Sequence, residues 1–67
     1  MEKTYYIAFY GTSGDGLVGY DYEPCNSLDM AMLFTSKTEA ERKRTELQPS
    51  WASELRVEEF VQSVNEL

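Results

Sequence analysis

The sequence predicts an α+β domain: a small antiparallel sheet, made of an N-terminal hairpin plus one or two further strands, packed by one main helix. Three observations carry this reading. Two runs rich in aromatic and β-branched residues, 4–10 (TYYIAFY) and 17–22 (LVGYDY), flank a glycine-punctuated segment, 11–16 (GTSGDG). Ser36 stands three residues before Glu39, the spacing of a helix capping box, and good or neutral helix formers follow until Pro49. Nearer the C-terminus, Leu55 and Val57 alternate with Glu54, Arg56 and Glu58 as in a half-buried strand.

Each element has its own justification. Residues 4–10 are too few for an independent helix, and a period of two puts Tyr5, Ile7 and Phe9 on one face, the expected core, with Tyr6, Ala8 and Tyr10 on the other. The glycine-rich segment reads as the hairpin turn, with Asp15-Gly16 supplying positive φ. In the second strand Val18, Tyr20 and Tyr22 share a face. Residues 23–29 (EPCNSLD) read as a loop, and 30–34 (MAMLF) as a short third strand or an extended entry to the helix. The helix should span about 37–48, ending because the residue before Pro49 is pushed out of the helical region. Only Ala40 and Leu47 are apolar on its inner face, beside Lys43 and Arg44, so it should rest lightly on the sheet with long cationic stems extending its cover. Trp51 should close the core near the helix C-terminus. For the last segment two periodicities compete: Val57, Phe60, Val61 and Val64 also match helical spacing. The expectation is a strand over 54–59 and then a short helical or frayed tail, because a further strand completes a layer that a lone hairpin leaves marginal.

Composition bounds the function. In 67 residues there are 12 acidic and 6 basic side chains, no histidine and one cysteine, a formal charge of −6. One domain of this size buries only about 60% of its unfolded surface. An internal disulfide needs a second cysteine, and zinc normally takes four Cys, His or carboxylate ligands, so a compact core or a partner must supply stability. An aromatic share of 13% is too high for a disordered acidic tail. No stretch approaches the ~20 apolar residues of a membrane span, and Met1-Glu2-Lys3-Thr4 lacks the features of a signal peptide, which points to the cytoplasm.

Chemistry-bearing motifs are sparse. Gly11, Gly14 and Gly16 superficially suggest a phosphate loop, but they join two strands, no helix follows and no Lys-Ser/Thr pair accompanies them. Asp15, Asp21, Glu23 and Asp29 lack the ligand spacing of a calcium loop. Cys25 has no histidine to activate it, and a chain this small has little volume for a pocket of ~300 Å³. The expectation is therefore no enzyme, no cofactor and no metal. Charge is segregated: residues 1–36 carry −4, 37–48 carry +1 and 49–67 carry −3. Direct nucleic-acid binding would call for a net basic face. The acidic, tyrosine-bearing Tyr20, Asp21, Tyr22 and Glu23, with Tyr6 and Tyr10, form the candidate recognition surface, because tyrosine supplies rigid amphipathic contact area; the same tyrosines would also serve to fill a small core.

The hairpin beginning at residue 4, the run Leu33-Phe34-Thr35-Ser36-Lys37-Thr38-Glu39-Ala40-Glu41 entering a charged helix, and a final Val/Glu-rich segment resemble small orphan proteins of bacteriophages and other mobile elements, among them the anti-CRISPR inhibitors. That resemblance implies a stand-alone cytoplasmic protein of the host cell that blocks a nucleic-acid-handling enzyme, a CRISPR effector nuclease, by offering carboxylates where DNA phosphates would bind. On this reading Asp21, Glu23 and Asp29 are the first candidates for partner binding and Glu58 and Glu59 the second, with Tyr20 and Tyr22 fixing orientation. The alternative is a small regulatory or structural module that forms a homodimer through its apolar hairpin or its C-terminal segment.

Overall fold

The computed structural model describes residues 2–12 and 14–62, and the chain forms the expected α+β domain. Its centre is β1 (Glu2–Gly11), and its elements follow in the order β2 (Gly14–Val18), β3 (Pro24–Cys25), β4 (Leu33–Phe34), α1 (Lys37–Leu47), a 3-10 turn (Gln48–Ser50) and β5 (Glu54–Gln62). All pairings are antiparallel. β5 lies along β1 from Glu2 opposite Gln62 to Tyr10 opposite Glu54. It fills one edge of β1, so β4 (opposite Tyr5 and Tyr6) and β2 (opposite residues 8–11) share the other in succession, and β3 flanks β2. Among the described residues three strands follow the hairpin where one or two were expected, two of them only two residues long.

Opposed residues in antiparallel strands share a face, so the register sorts the side chains. Ile7 faces Val57 and Phe9 faces Leu55, which places Ile7, Phe9, Leu55 and Val57 under the helix together with Val18 and Phe34. Ile7, Val18 and Leu55 are the fully enclosed side chains of this core, and Met32, Leu47 and Trp51 pack around them. Trp51 meets Phe9 with ring centroids 5.3 Å apart, closing the core at the helix C-terminus as expected. Ala40 alone on the helix is fully buried, and Lys43 and Arg44 keep 30% of their side chains exposed, consistent with a light contact widened by aliphatic stems.

Five local expectations are corrected. The hairpin turns earlier: Gly11 pairs with Gly14, so Asp15 and Gly16 lie in β2 opposite Tyr10 and Phe9, and Gly14, at φ 136°, carries the positive dihedral. β2 ends at Val18, and Tyr20 and Tyr22 belong to a turn instead of a strand face, because Gly19 and Asp21 close a local hydrogen-bonded loop described below. Within the expected 23–29 loop, Pro24 and Cys25 form β3, with Cys25 opposite Leu17. The helix does stop at Leu47, yet Gln48 before the proline is still helical (φ −52°, ψ −44°); what Pro49 removes is a backbone donor, and the chain leaves through a 3-10 turn closed by Trp51 N–H to Gln48 O at 3.0 Å. Finally, β5 continues through residues 60–62 where a short helical or frayed tail was expected, since extending the ladder gives those backbone groups partners on β1. Val64 lies outside the described residues.

Of the expected helix cap, Ser36 Oγ accepts from Glu39 N–H at 3.4 Å. Among the described residues no helix is long and apolar enough to cross a membrane.

Candidate functional site

Two tight turns are held side by side at the end of β2. In the first, Gly19 N–H donates to Glu23 O and Tyr22 N–H to Gly19 O, both at 2.8 Å, while Asp21 Oδ1 accepts from Glu23 N–H at 3.2 Å. An aspartate bonding to the backbone two residues on is an Asx turn, which is why Asp21 bends the chain here. Tyr22 sits at φ 68°, a left-handed conformation uncommon for a bulky residue. Its ring lies under Lys43 Nζ, 5.7 Å from the centroid, and Lys43 also bonds Glu46 at 3.2 Å, the larger cause of its raised pKa. In the second turn Met30 N–H donates to Ser27 O at 3.0 Å and Asp29 N–H to Ser27 Oγ at 3.2 Å. Tyr20 N–H to Met30 O at 2.9 Å and the Gly19–Ala31 bridge join the two turns. Gly19 has to be glycine for this: a Cβ there would stand 2.8 Å from Glu23 O and 3.2 Å from Met30 O.

The result is a continuous surface of Tyr20 (61% exposed), Asp21, Tyr22 (52%), Glu23, Asp29 and Met30, five of them residues that the sequence singled out. Among the described residues, Asp21, Glu23 and Asp29 have no ion-pair partner. Glu58 and Glu59 do not join them. They lie on β5, across β1 from the loops, and face opposite sides of the sheet. Glu58 accepts a hydrogen bond from Tyr10 Oη at 2.7 Å, which with burial raises the Tyr10 pKa, and Glu59 approaches Lys3 at 3.9 Å. Tyr6 and Tyr10 lie on the sheet face away from the helix, half-buried, so they are also separate from the loop surface.

Next to the loops, Tyr22, Pro24, Leu47, Ser50, Trp51 and Ala52 line an open, largely apolar groove of about 480 Å³. This volume exceeds what the chain length suggested. Its lining is mostly apolar, with no carboxylate, thiol or amine among these six residues, so it is suited to receiving an apolar side chain. Gly19, Met30 and the groove are what the sequence reading missed; Gly19 followed by Asp21 and Pro24 was the available turn signal. Cys25 is half-buried and donates to Ser27 O at 3.6 Å, as a structural thiol would. No group of three or more Cys, Asp or Glu side chains among the described residues is placed to hold a metal ion. Comparison of the chain with protein-family models, with curated proteins and with solved structures gives no match in any of the three.

Proposed function

We propose that this chain is a non-enzymatic binding protein that blocks a nucleic-acid-handling enzyme by laying its acidic loop pair in the enzyme's basic groove, the target class being the CRISPR effector nucleases suggested by the sequence resemblance. One observation carries the reading: three carboxylates without cationic partners among the described residues, Asp21, Glu23 and Asp29, sit on two mutually bonded turns with Tyr20 and Tyr22 more than half exposed beside them. Carboxylates already neutralised inside the protein would offer a basic groove little. Loops bonded to each other lose less freedom on binding, so more of the interaction appears as affinity. A positively charged channel attracts such a surface from a distance, and the tyrosines add contacts that do not depend on salt. The neighbouring groove at Tyr22 and Trp51 gives an apolar side chain of the target a place to seat.

The test is a competition titration of the protein against a CRISPR effector nuclease in the presence of target DNA, at low and high salt, with the wild type and with Asp21→Lys/Glu23→Lys. Inhibition should weaken several-fold with the double reversal and again as salt rises. Exposed charges contribute little to stability, so the overall fold should be kept; because Asp21→Lys also removes the turn bond to Glu23 N–H, Glu23→Lys/Asp29→Lys, which keeps that bond, should show the same loss. Inhibition indifferent to both changes, or no inhibition, refutes the reading.

A further inference from the structure

The outer edge of β5 lies apart from the acidic loops, across β1. Among the described residues β5 pairs with β1 alone. Two observations fix which backbone groups point outward. The β1–β2 hairpin closes with Gly11 opposite Gly14 across two residues, and such a hairpin is closed by a hydrogen-bonded pair, so odd-numbered residues of β1 bond to β2 and even-numbered ones to β5. The unbroken register then turns Glu54, Arg56, Glu58 and Phe60 toward β1 and Leu55, Val57, Glu59 and Val61 away from it. Independently, Leu55 N–H donates to Gln48 Oε1 at 2.9 Å, which requires it to point away from β1. Gln48 Nε2 donates to Ser53 O at 2.8 Å, so this one amide takes the place of a neighbouring strand at the start of the edge.

Beyond Gln48, the N–H and C=O groups of Val57, Glu59 and Val61 point away from β1, and no other described strand pairs with them. Edge strands are usually guarded by proline, charged side chains, a bulge or a covering element. Residues 54–62 contain no proline and their register is continuous; their charges lie at Glu54, Arg56, Glu58 and Glu59, leaving Phe60 and Val61 uncharged at the outer end. Exposure climbs from 2% at Leu55, beneath the helix, to 39% at Phe60 and 43% at Val61.

We propose that this edge pairs with the same edge of a second copy, giving a two-fold antiparallel dimer with Phe60 on the axis. Antiparallel self-pairing must set outward groups against outward groups, so the candidate registers differ only in which residue lies on the axis. An axis at Glu58 or earlier drives the second strand into the Gln48 amide. An axis at Glu59 sets two glutamates directly opposite each other, which is destabilising. An axis at Val61 leaves two backbone hydrogen bonds among the described residues. With Phe60 on the axis, Glu59 and Val61 of each copy exchange four backbone hydrogen bonds, the two Phe60 rings form a cross-strand aromatic pair, and Glu58 stands opposite Gln62. Each copy carries −6, so the dimer should tighten several-fold as salt screens the repulsion. Binding of the acidic loops to a basic groove changes with salt in the opposite sense, so the two readings fail separately.

Sedimentation equilibrium of the full chain over low to high micromolar concentration, at two salt levels, reads the association, and hydrogen exchange by NMR reads the register. Exchange at the Glu59 and Val61 amides should slow as concentration rises, while Leu55, already bonded to Gln48, should not change. In a Cys25→Ser background, Phe60→Cys should oxidise to an intermolecular disulfide, because opposed residues in a non-hydrogen-bonded pair have Cα atoms about 4.5 Å apart. Glu58→Cys places its two thiols roughly four residues apart along the strands, about 13 Å, and should not cross-link. A chain that stays monomeric at high concentration and salt, or a dimer in which Glu58→Cys cross-links as readily as Phe60→Cys, overturns the proposal. So does slowing of Glu59 and Val61 only on addition of an alternating Lys-Val peptide, which would give the edge to a basic partner strand.

Discussion

Replacing Gln48 by methionine tests how one side chain organises the junction between helix and sheet. Gln48 ends α1 through its own backbone N–H to Arg44 O, and its amide then bonds both Ser53 O at 2.8 Å and Leu55 N–H at 2.9 Å. Methionine preserves length, flexibility and helix propensity while removing both bonds. At ~0.5–1.5 kcal/mol net for each hydrogen bond, the loss should be ~1–3 kcal/mol, toward the lower end if water replaces the amide at this half-buried site. A domain of this size has only roughly 3–10 kcal/mol of stability, so the effect is large, and at ~4–8 °C per kcal/mol it corresponds to a Tm lower by ~5–20 °C. Urea denaturation followed by circular dichroism at low protein concentration measures it without contribution from association. Gln48→Glu separates the two bonds: a carboxylate still accepts from Leu55 N–H but faces Ser53 O with a second oxygen, so it should be no more stable than the methionine variant. A methionine variant within about 0.3 kcal/mol of wild type, below the smallest net hydrogen bond considered, would refute the argument that the amide stands in for a strand.

Three further outcomes follow from the same geometry. Ser36→Ala should cost ~0.5–1 kcal/mol in a thermal melt, the lower part of the usual range for a lost cap, because the bond to Glu39 N–H is long at 3.4 Å. Tyr10 keeps its phenolic proton to higher pH than an unfolded tyrosine, through its bond to Glu58 and then burial; the stability it contributes is therefore complete below about pH 10 and lost as pH rises through its higher folded pKa, a step that Tyr10→Phe should remove from the Tm–pH profile. Lys43, raised mainly by Glu46, titrates in the same alkaline region in both proteins and cancels in that comparison. Gly19→Ala should force the Glu23 carbonyl away from a Cβ only 2.8 Å distant, lowering stability by ~1–3 kcal/mol and weakening any binding through the loops; an unchanged melt together with unchanged Tyr20 and Met30 amide shifts would show that the two turns are not mutually supporting.

The features readable from residue order alone are those that rest on short-range chemistry. The β-forming run before Gly11, the cap at Ser36 and the placing of Ile7 and Phe9 on the core face each depend on neighbours a few residues away, and each appears where it was expected. Tertiary structure decided the segments whose local signals were balanced. Residues 57–61 match both a helix and a strand period, and they became strand because β1 offered an edge on which their backbone groups could pair while Leu55 and Val57 reached the core. Tyr20 and Tyr22 have strand propensity, but Gly19 admits two carbonyl oxygens that a side chain would exclude, and the Asp21 turn bends the chain before a strand can continue. The proposed recognition surface was therefore legible by residue type and not by shape. Asp21, Glu23 and Asp29 adjoin because the Tyr20 amide reaches Met30 O ten residues away, whereas Glu58 and Glu59, similar to them in sequence, were placed by the register of β5 on the far side of β1 and supplied with Tyr10 and Lys3 as partners.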